Sequence, residues 1–344
     1  MGKEAVHSWR VAESDFPRKG SIDEQLRFLL RYAVLAPSSH NSQPWRFRIR
    51  DGGVDLFADH SRGLPVVDPN DRELIMSCGA ALFHLRVALR HFGLRDAVTL
   101  LPDPDRPDWL ARVAPGGPHA PEDSDRLLFS ALFRRFTHRG AFREAPVPPE
   151  LTHMLTWMAE SEGARLLCLA RPEEKEPVAG LVAEGTRRQG ASARFRRELS
   201  EWVRINDSPR RDGLPGYALG FGRLPSLVGP WMLRWINWGG RQAERDRYWA
   251  VNAPVLAVVA TDRDDPLCWL AAGQGLAGVL LRAAEDGVQA SFLNQPVEIP
   301  ALRLRLQEVG GVHGMPQVLL RMGFGVEKRA PTPRRPVDEV VDPA

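Results

Sequence analysis

Cysteine is nearly absent from this chain. Among 344 residues there are three, Cys78, Cys168 and Cys268, and none belongs to a CxxC pair. An odd, scattered set excludes a disulfide framework and a cysteine-based zinc site. The nine histidines show neither HExxH nor H-x-H spacing, so no metal is expected. Lysine is almost missing too: Lys3, Lys19, Lys175 and Lys328 are the only ones, and the basic side is nearly all arginine. The net charge of +3 is close to balance. The densest basic stretch, from Arg187 to Arg211, has Glu198, Glu201 and Asp207 among its arginines. Interspersed signs make no track for a polyanion, so nucleic acid is not an expected partner. No apolar run approaches the roughly 18–20 residues of a membrane helix. After Lys3 and Glu4 the N-terminus has no apolar stretch of signal type. A membrane partner is therefore not expected, and the cytoplasm is the expected compartment.

What is present is ordinary for a globular protein, with 43% apolar and 26% charged residues. The length is large for one compact core, which suggests two closely joined lobes. Ile22, Leu26, Leu29, Leu30, Ala33 and Val34 have helical spacing, Ser21 and Glu24 form a capping box, and Pro37 stops the helix. Residues 45–49 alternate as a strand, Asp51-Gly52-Gly53 turns the chain, and 54–58 is the returning strand. A helix is expected from about Asp71 to His91, a short strand at 98–101, and then a Pro/Asp-rich loop. The second half follows a similar order: helices at about 124–134 and 150–160, strands at 166–169 and 255–260, a helix at about 266–286 and a late strand at 317–322. Ser77-Cys78-Gly79-Ala80-Ala81-Leu82 and Ala271-Ala272-Gly273-Gln274-Gly275-Leu276 are both small-residue helix segments leading to Gly93 and Gly287. This weak similarity suggests duplication of one α+β unit.

Residues 36–45 read Ala-Pro-Ser-Ser-His-Asn-Ser-Gln-Pro-Trp. On composition alone they form a capping turn with two prolines, rich in groups that both donate and accept hydrogen bonds. The decapeptide closely resembles the helix-to-strand signature of the nitroreductase family, FMN-dependent enzymes that are normally homodimers. The resemblance implies that Pro37, Ser38, Ser39 and Asn41 lie against the flavin ring and ribityl chain, with Gln43 close by. Family members open with an Arg-x-Ser/Thr-x-Arg/Lys segment for the phosphate. Here that segment is missing from the start of the first unit and stands at the start of the second, as Arg135-Phe136-Thr137-His138-Arg139, followed by Phe142 and Pro146-Val147-Pro148. Arginine binds phosphate bidentately and threonine adds a hydroxyl; Arg135, Thr137 and Arg139 are the candidates. The second unit in turn lacks the Pro-Ser-Ser-x-Asn loop. Each unit keeps one half-site and has lost the other, so a fused pseudo-dimer with one FMN per chain is expected.

Two later segments fit the resemblance. Residues 287–295, ending Phe292-Leu293-Asn294-Gln295, resemble the family stretch whose backbone amides face flavin N5, with the Asn294 N–H as the candidate donor. Arg334-Arg335-Pro336-Val337 resembles the closing basic segment that returns to the phosphate, Arg335 being favoured over Arg334. The resemblance is nearest to the fused, Acg-type subgroup, which implies a lid; residues 202–249 hold five of the ten tryptophans. Gly273-Gln274-Gly275-Leu276-Ala277-Gly278 satisfies GxGxxG but lies inside a helix, not between strand and helix, so it reads as helix packing.

The expectations are therefore these. The fold is α+β and nitroreductase-like in three layers, with a first unit over 1–122 and a second over 123–344 carrying a lid near 202–249. One FMN is held, with NAD(P)H as transient reductant and a small-molecule nitro or quinone acceptor, and a monomer is admissible. The alternative is an FMN-sequestering storage or stress protein with little turnover. No catalytic side chain is named, because the cofactor supplies the chemistry.

Overall fold

The computed structural model describes residues 8–326 and 330–342; Lys3, Glu4 and Lys328 lie outside them. In chain order the elements are α1 (Ile22–Ala33), β1 (Trp45–Arg50), β2 (Gly53–Ala58), α2 (Arg72–His91), β3 (Leu94–Leu100), β4 (Trp109–Pro118), α3 (Asp123–Ala131), α4 (Pro149–Glu160), β5 (Arg165–Leu169), α5 (Pro172–Ala191), α6 (Ala193–Trp202), β6 (Val203–Arg204), β7 (Leu214–Pro215), α7 (Arg223–Trp235), α8 (Gly239–Val251), β8 (Val255–Thr261), α9 (Pro266–Glu285), β9 (Val288–Phe292), α10 (Gln295–Glu298), α11 (Pro300–Val309) and β10 (Met315–Phe324). The expected capping box forms at α1: the Ser21 side chain accepts from the Glu24 N–H, and Glu24 accepts from the Ser21 N–H. Strand β4 was hidden behind the Pro/Asp-rich loop. It pairs with both β2 and β3.

Two antiparallel four-stranded sheets run β1-β2-β4-β3 and β5-β8-β10-β9. Each sheet uses its strands in the same order, first-second-fourth-third, and each has its long small-residue helix, α2 or α9, between its second and third strands. The two units are thus copies of one α+β design. They differ in two connections. Strands β9 and β10 are joined through α10 and α11 where β3 and β4 have only a loop, and the first two strands are joined differently. Between β1 and β2 the chain turns at Asp51 and Gly52, both with positive φ; between β5 and β8 it inserts α5 to α8.

Both sheets pack on a shared helical layer. One hydrophobic core takes the inner faces of the two sheets together with α1, α2, α4 and α9. A second core lies on the far side of the second sheet, under α5, α10 and α11. This is why β8 reads as an unbroken apolar run: Val255, Ala257 and Val259 belong to the first core, and Leu256, Val258 and Ala260 to the second. Helix α9 is apolar enough along its 20 residues to cross a bilayer by length and composition, but Gln274 and Arg282 interrupt it and most of it is buried in protein. After β10 the tail returns to the first sheet, where Phe47 on β1 donates to Val340 at 2.7 Å and accepts from Asp342 at 2.8 Å.

Candidate functional site

Between the two units, beneath the α5–α8 insertion, lies a cavity of about 700 Å3. One wall is the loop after α1. His40, Asn41 and Gln43 there have φ of 52°, 55° and 54°, left-handed values that residues other than glycine seldom take. Three parts of the chain hold this shape. Ser38 Oγ accepts the Gln43 N–H at 2.9 Å. Asn41 donates to the carbonyls of Gly213 and Pro333, at 3.0 and 3.1 Å, and accepts from Arg334 at 2.8 Å. Gln43 donates to the Arg211 carbonyl and accepts the Arg335 N–H, both at 2.8 Å. Pro37, Ser38, Ser39 and Asn41 line the cavity, whereas Gln43 and Arg335 brace each other behind its wall. Of the two basic tail residues it is Arg334, not the favoured Arg335, that reaches the cavity.

The segment after α3 forms the next wall. The Arg135 N–H bonds Ala131, and the chain then runs beside β9, with the His138 N–H on the Ala290 carbonyl at 2.9 Å. Arg135, Thr137 and Arg139 all line the cavity. Arg135 and Arg334 are 4% and 3% exposed. Both donate to one carbonyl, that of Leu35, at 3.3 and 3.4 Å. Among the described residues neither meets a carboxylate, and the Nε of each lacks a partner. Burial lowers the pKa of Arg135 to about 10; burial and then the Arg135 charge hold Arg334 well below its ordinary value. Two enclosed cations without a counter-charge are costly, and an anion of two charges such as a phosphate would compensate them.

A third wall combines the start of α2 with the end of β9. Phe292, Leu293, Asn294 and Gln295 line it. The Asn294 side chain accepts the Leu319 N–H at 3.1 Å and donates to Glu73 at 3.3 Å, which fixes its orientation. Glu73 also accepts from the Ser39 hydroxyl and meets Arg72 at 3.2 Å. Glu298 opens onto the cavity, is otherwise enclosed, and accepts from Gln189. Burial, then the Glu73 charge, raises its pKa to about 8; the same two causes raise Asp68 to about 6. His40, half-buried at the cavity wall, has its pKa lowered to about 4 by desolvation and then by the Arg139 charge.

Sequence reasoning passed over Glu73 and Glu298, and also a group under the insertion. Arg321 lies between the rings of Phe142 and Trp249, 4.7 Å from each centroid, and Asp246 accepts from Thr186, Gln242 and Gln295. The one available signal was Arg321 itself, a lone charge inside the apolar run of β10. Glu73 looks in sequence like an ordinary acid in a first helical turn.

The chain is 32% identical to the Mycobacterium tuberculosis protein named "Putative NAD(P)H nitroreductase Rv3131", over 93% of this chain and 91% of that one. It belongs to the nitroreductase family. The M. tuberculosis protein named "Putative NAD(P)H nitroreductase acg" is 29% identical over 92% of this nitroreductase-family chain and 94% of its own. No family model matches. Among solved structures, the FMN and NADPH-dependent nitroreductase NfnB from sphigopyxis sp. strain HMH is 21% identical with a TM-score of 0.43, covering 63% of this chain and 98% of that chain.

Proposed function

We propose that the cavity holds one FMN per chain and that the protein is an FMN-dependent NAD(P)H oxidoreductase. In this reading hydride passes from the nicotinamide to the flavin and on to a small nitro- or quinone-type acceptor. The observation that carries the reading is the Arg135–Arg334 pair, two buried guanidiniums with no carboxylate at one wall of a cavity of cofactor size. Arg135, Arg334, Thr137 and Arg139 would hold the phosphate. Pro37, Ser38, Ser39 and Asn41 would pack along the ribityl chain and ring, Phe292, Leu293 and Gln295 would flank the ring, and the Asn294 N–H would face N5. Gln43 and Arg335 would act from behind, by holding the loop. The bound flavin would supply the electron transfer; the protein's own contribution is to bind, orient and exclude water, and to keep a proton on Glu298 beside that end of the site.

A second reading is supported by the cover over the cavity. Leu214, Phe221, Met232, Ile236 and Trp238 of the insertion all face it, and an apolar cover suits a protein that stores FMN with little turnover. The names of the relatives, "Putative NAD(P)H nitroreductase" in both cases, favour the enzyme. The test is to purify the protein, record its visible spectrum and add NADPH without oxygen. A flavin spectrum that bleaches within seconds supports the oxidoreductase. A flavin that stays oxidised leaves only storage, and a colourless protein that cannot be loaded with FMN sinks both.

A further inference from the structure

Helix α7 is apolar on two faces. Toward the cavity it presents Pro225, Gly229, Met232 and Leu233, with Ile236 just beyond its end. Away from it, Leu224, Leu227, Val228, Trp231 and Trp235 recur at helical spacing and stand 76%, 59%, 51%, 63% and 63% exposed. A helix apolar all round is ordinarily covered on all sides, and a contiguous bare face of this kind marks an interaction surface. The segment that carries that face is basic, and Arg234 stands on α7 itself, over the Trp235 ring. Residues 203–252 hold eight arginines against four carboxylates, in a chain whose whole net charge is +3. Arg204, Arg211, Arg223 and Arg247 are in ion pairs, whereas among the described residues Arg210, Arg234 and Arg241 make none.

We propose that the outer face of α7 docks onto the surface of an anionic lipid bilayer, with Trp231, Trp235, Leu224, Leu227 and Val228 entering the boundary between headgroups and acyl chains. The physics is that of an interfacial helix: an apolar stripe with tryptophans, flanked by arginines that attract anionic headgroups. A second copy of the chain fits less well. Isologous pairing through α7 would set the arginine-rich segment against itself, whereas an anionic surface complements it. Because the opposite face of the same helix walls the cavity, docking places the cavity beside the acyl layer. A lipophilic acceptor, such as a quinone with an apolar tail, could then reach it without crossing water. That last step rests on the oxidoreductase reading; the docking does not. It also revises the expectation of no membrane partner, which was framed around spanning length rather than a surface helix.

The experiment is co-flotation of the purified full chain with vesicles of phosphatidylcholine alone or with one-third phosphatidylglycerol, and the flavin spectrum of the same preparation reports the site separately. Wild-type protein should float with the anionic vesicles, with a blue shift of tryptophan emission, and more weakly with the neutral ones. Trp231→Ser/Trp235→Ser alters neither cavity wall nor core. It should fold with an unchanged thermal transition, retain cofactor as the wild type does, and partition about tenfold or more less strongly. The proposal is overturned by wild-type protein that stays unbound with anionic vesicles, by a double variant that floats equally well, or by light scattering that finds a wild-type dimer which the double variant converts to monomer.

Discussion

Gly79 and Gly273 hold the same position in the two repeats and pack against each other where α2 crosses α9. A Cβ on Gly79 would overlap the Leu270 carbonyl and come within 3.2 Å of the Gly273 Cα. A Cβ on Gly273 would overlap the Met76 carbonyl and come within 2.8 Å of its carbon. The obstacle is backbone on both sides, so the helices themselves would have to move apart.

Gly273→Ala should therefore destabilise the protein by about 1–3 kcal/mol, the usual cost of overpacking a tight core, or somewhat more. Gly278→Ala, which meets the flexible end of Met158 at 3.0 Å, should cost less. Gly180 in α5 has nothing within 4 Å, and Gly180→Ala should stabilise by about 0.5–1 kcal/mol. Urea unfolding of the three variants checks the order; Gly273→Ala as stable as wild type would remove the close crossing from the account.

The crossing was legible in sequence as two small-residue segments, and so were most elements, because Ser21 with Glu24 and the alternation at 45–58 are local signals. Strand β4 was not, since Pro115 and Pro118 stand in its second half and its pairing with β2 and β3 is long-range. The same divide applies to the site. Contiguous segments announced Pro37 to Asn41, Arg135 to Arg139 and Phe292 to Gln295. The Glu73–Glu298 pairing joins the start of α2 to α10, and no local pattern encodes it. Arg334 and Arg335 are adjacent, and only the path of the tail decides which one turns inward.

The Arg135–Arg334 pair separates a ligand role from a structural one. With no carboxylate between them, both charges are a burden on the empty protein. Arg135→Met should leave the apoprotein at least as stable as wild type by thermal melt, and should weaken FMN binding by about 2–5 kcal/mol, thirtyfold or more. Arg334→Met should weaken binding similarly but cost apo stability, because Arg334 also holds Asn41. Fluorescence titration of FMN into apoprotein measures the first quantity. Undiminished FMN affinity in Arg135→Met would contradict the phosphate assignment.

Glu298 sets a pH dependence whose sign can be worked out. It faces Glu73 and Arg72 from α2, Asp68 ahead of that helix, and Gln189 from α5. Its pKa is raised by burial, then by Glu73, to about 8 from an ordinary 4.5. Between those values the unfolded chain has released the proton and the folded chain keeps it, so stability falls as pH rises, and levels off above about 8. His40 acts oppositely: lowered to about 4 by burial and Arg139, it makes stability fall as pH drops below about 6.5. From pH 6.5 to 8, therefore, Glu298 should dominate between the two. Wild-type apoprotein should lose stability over that interval in urea titrations, Glu298→Gln should show a flat profile there, and Glu73→Gln, which removes the neighbouring charge, should shift the loss to lower pH. A wild-type profile that is flat from 6.5 to 8 would mean that Glu298 is ionised in the folded protein and that the site holds no proton at neutral pH.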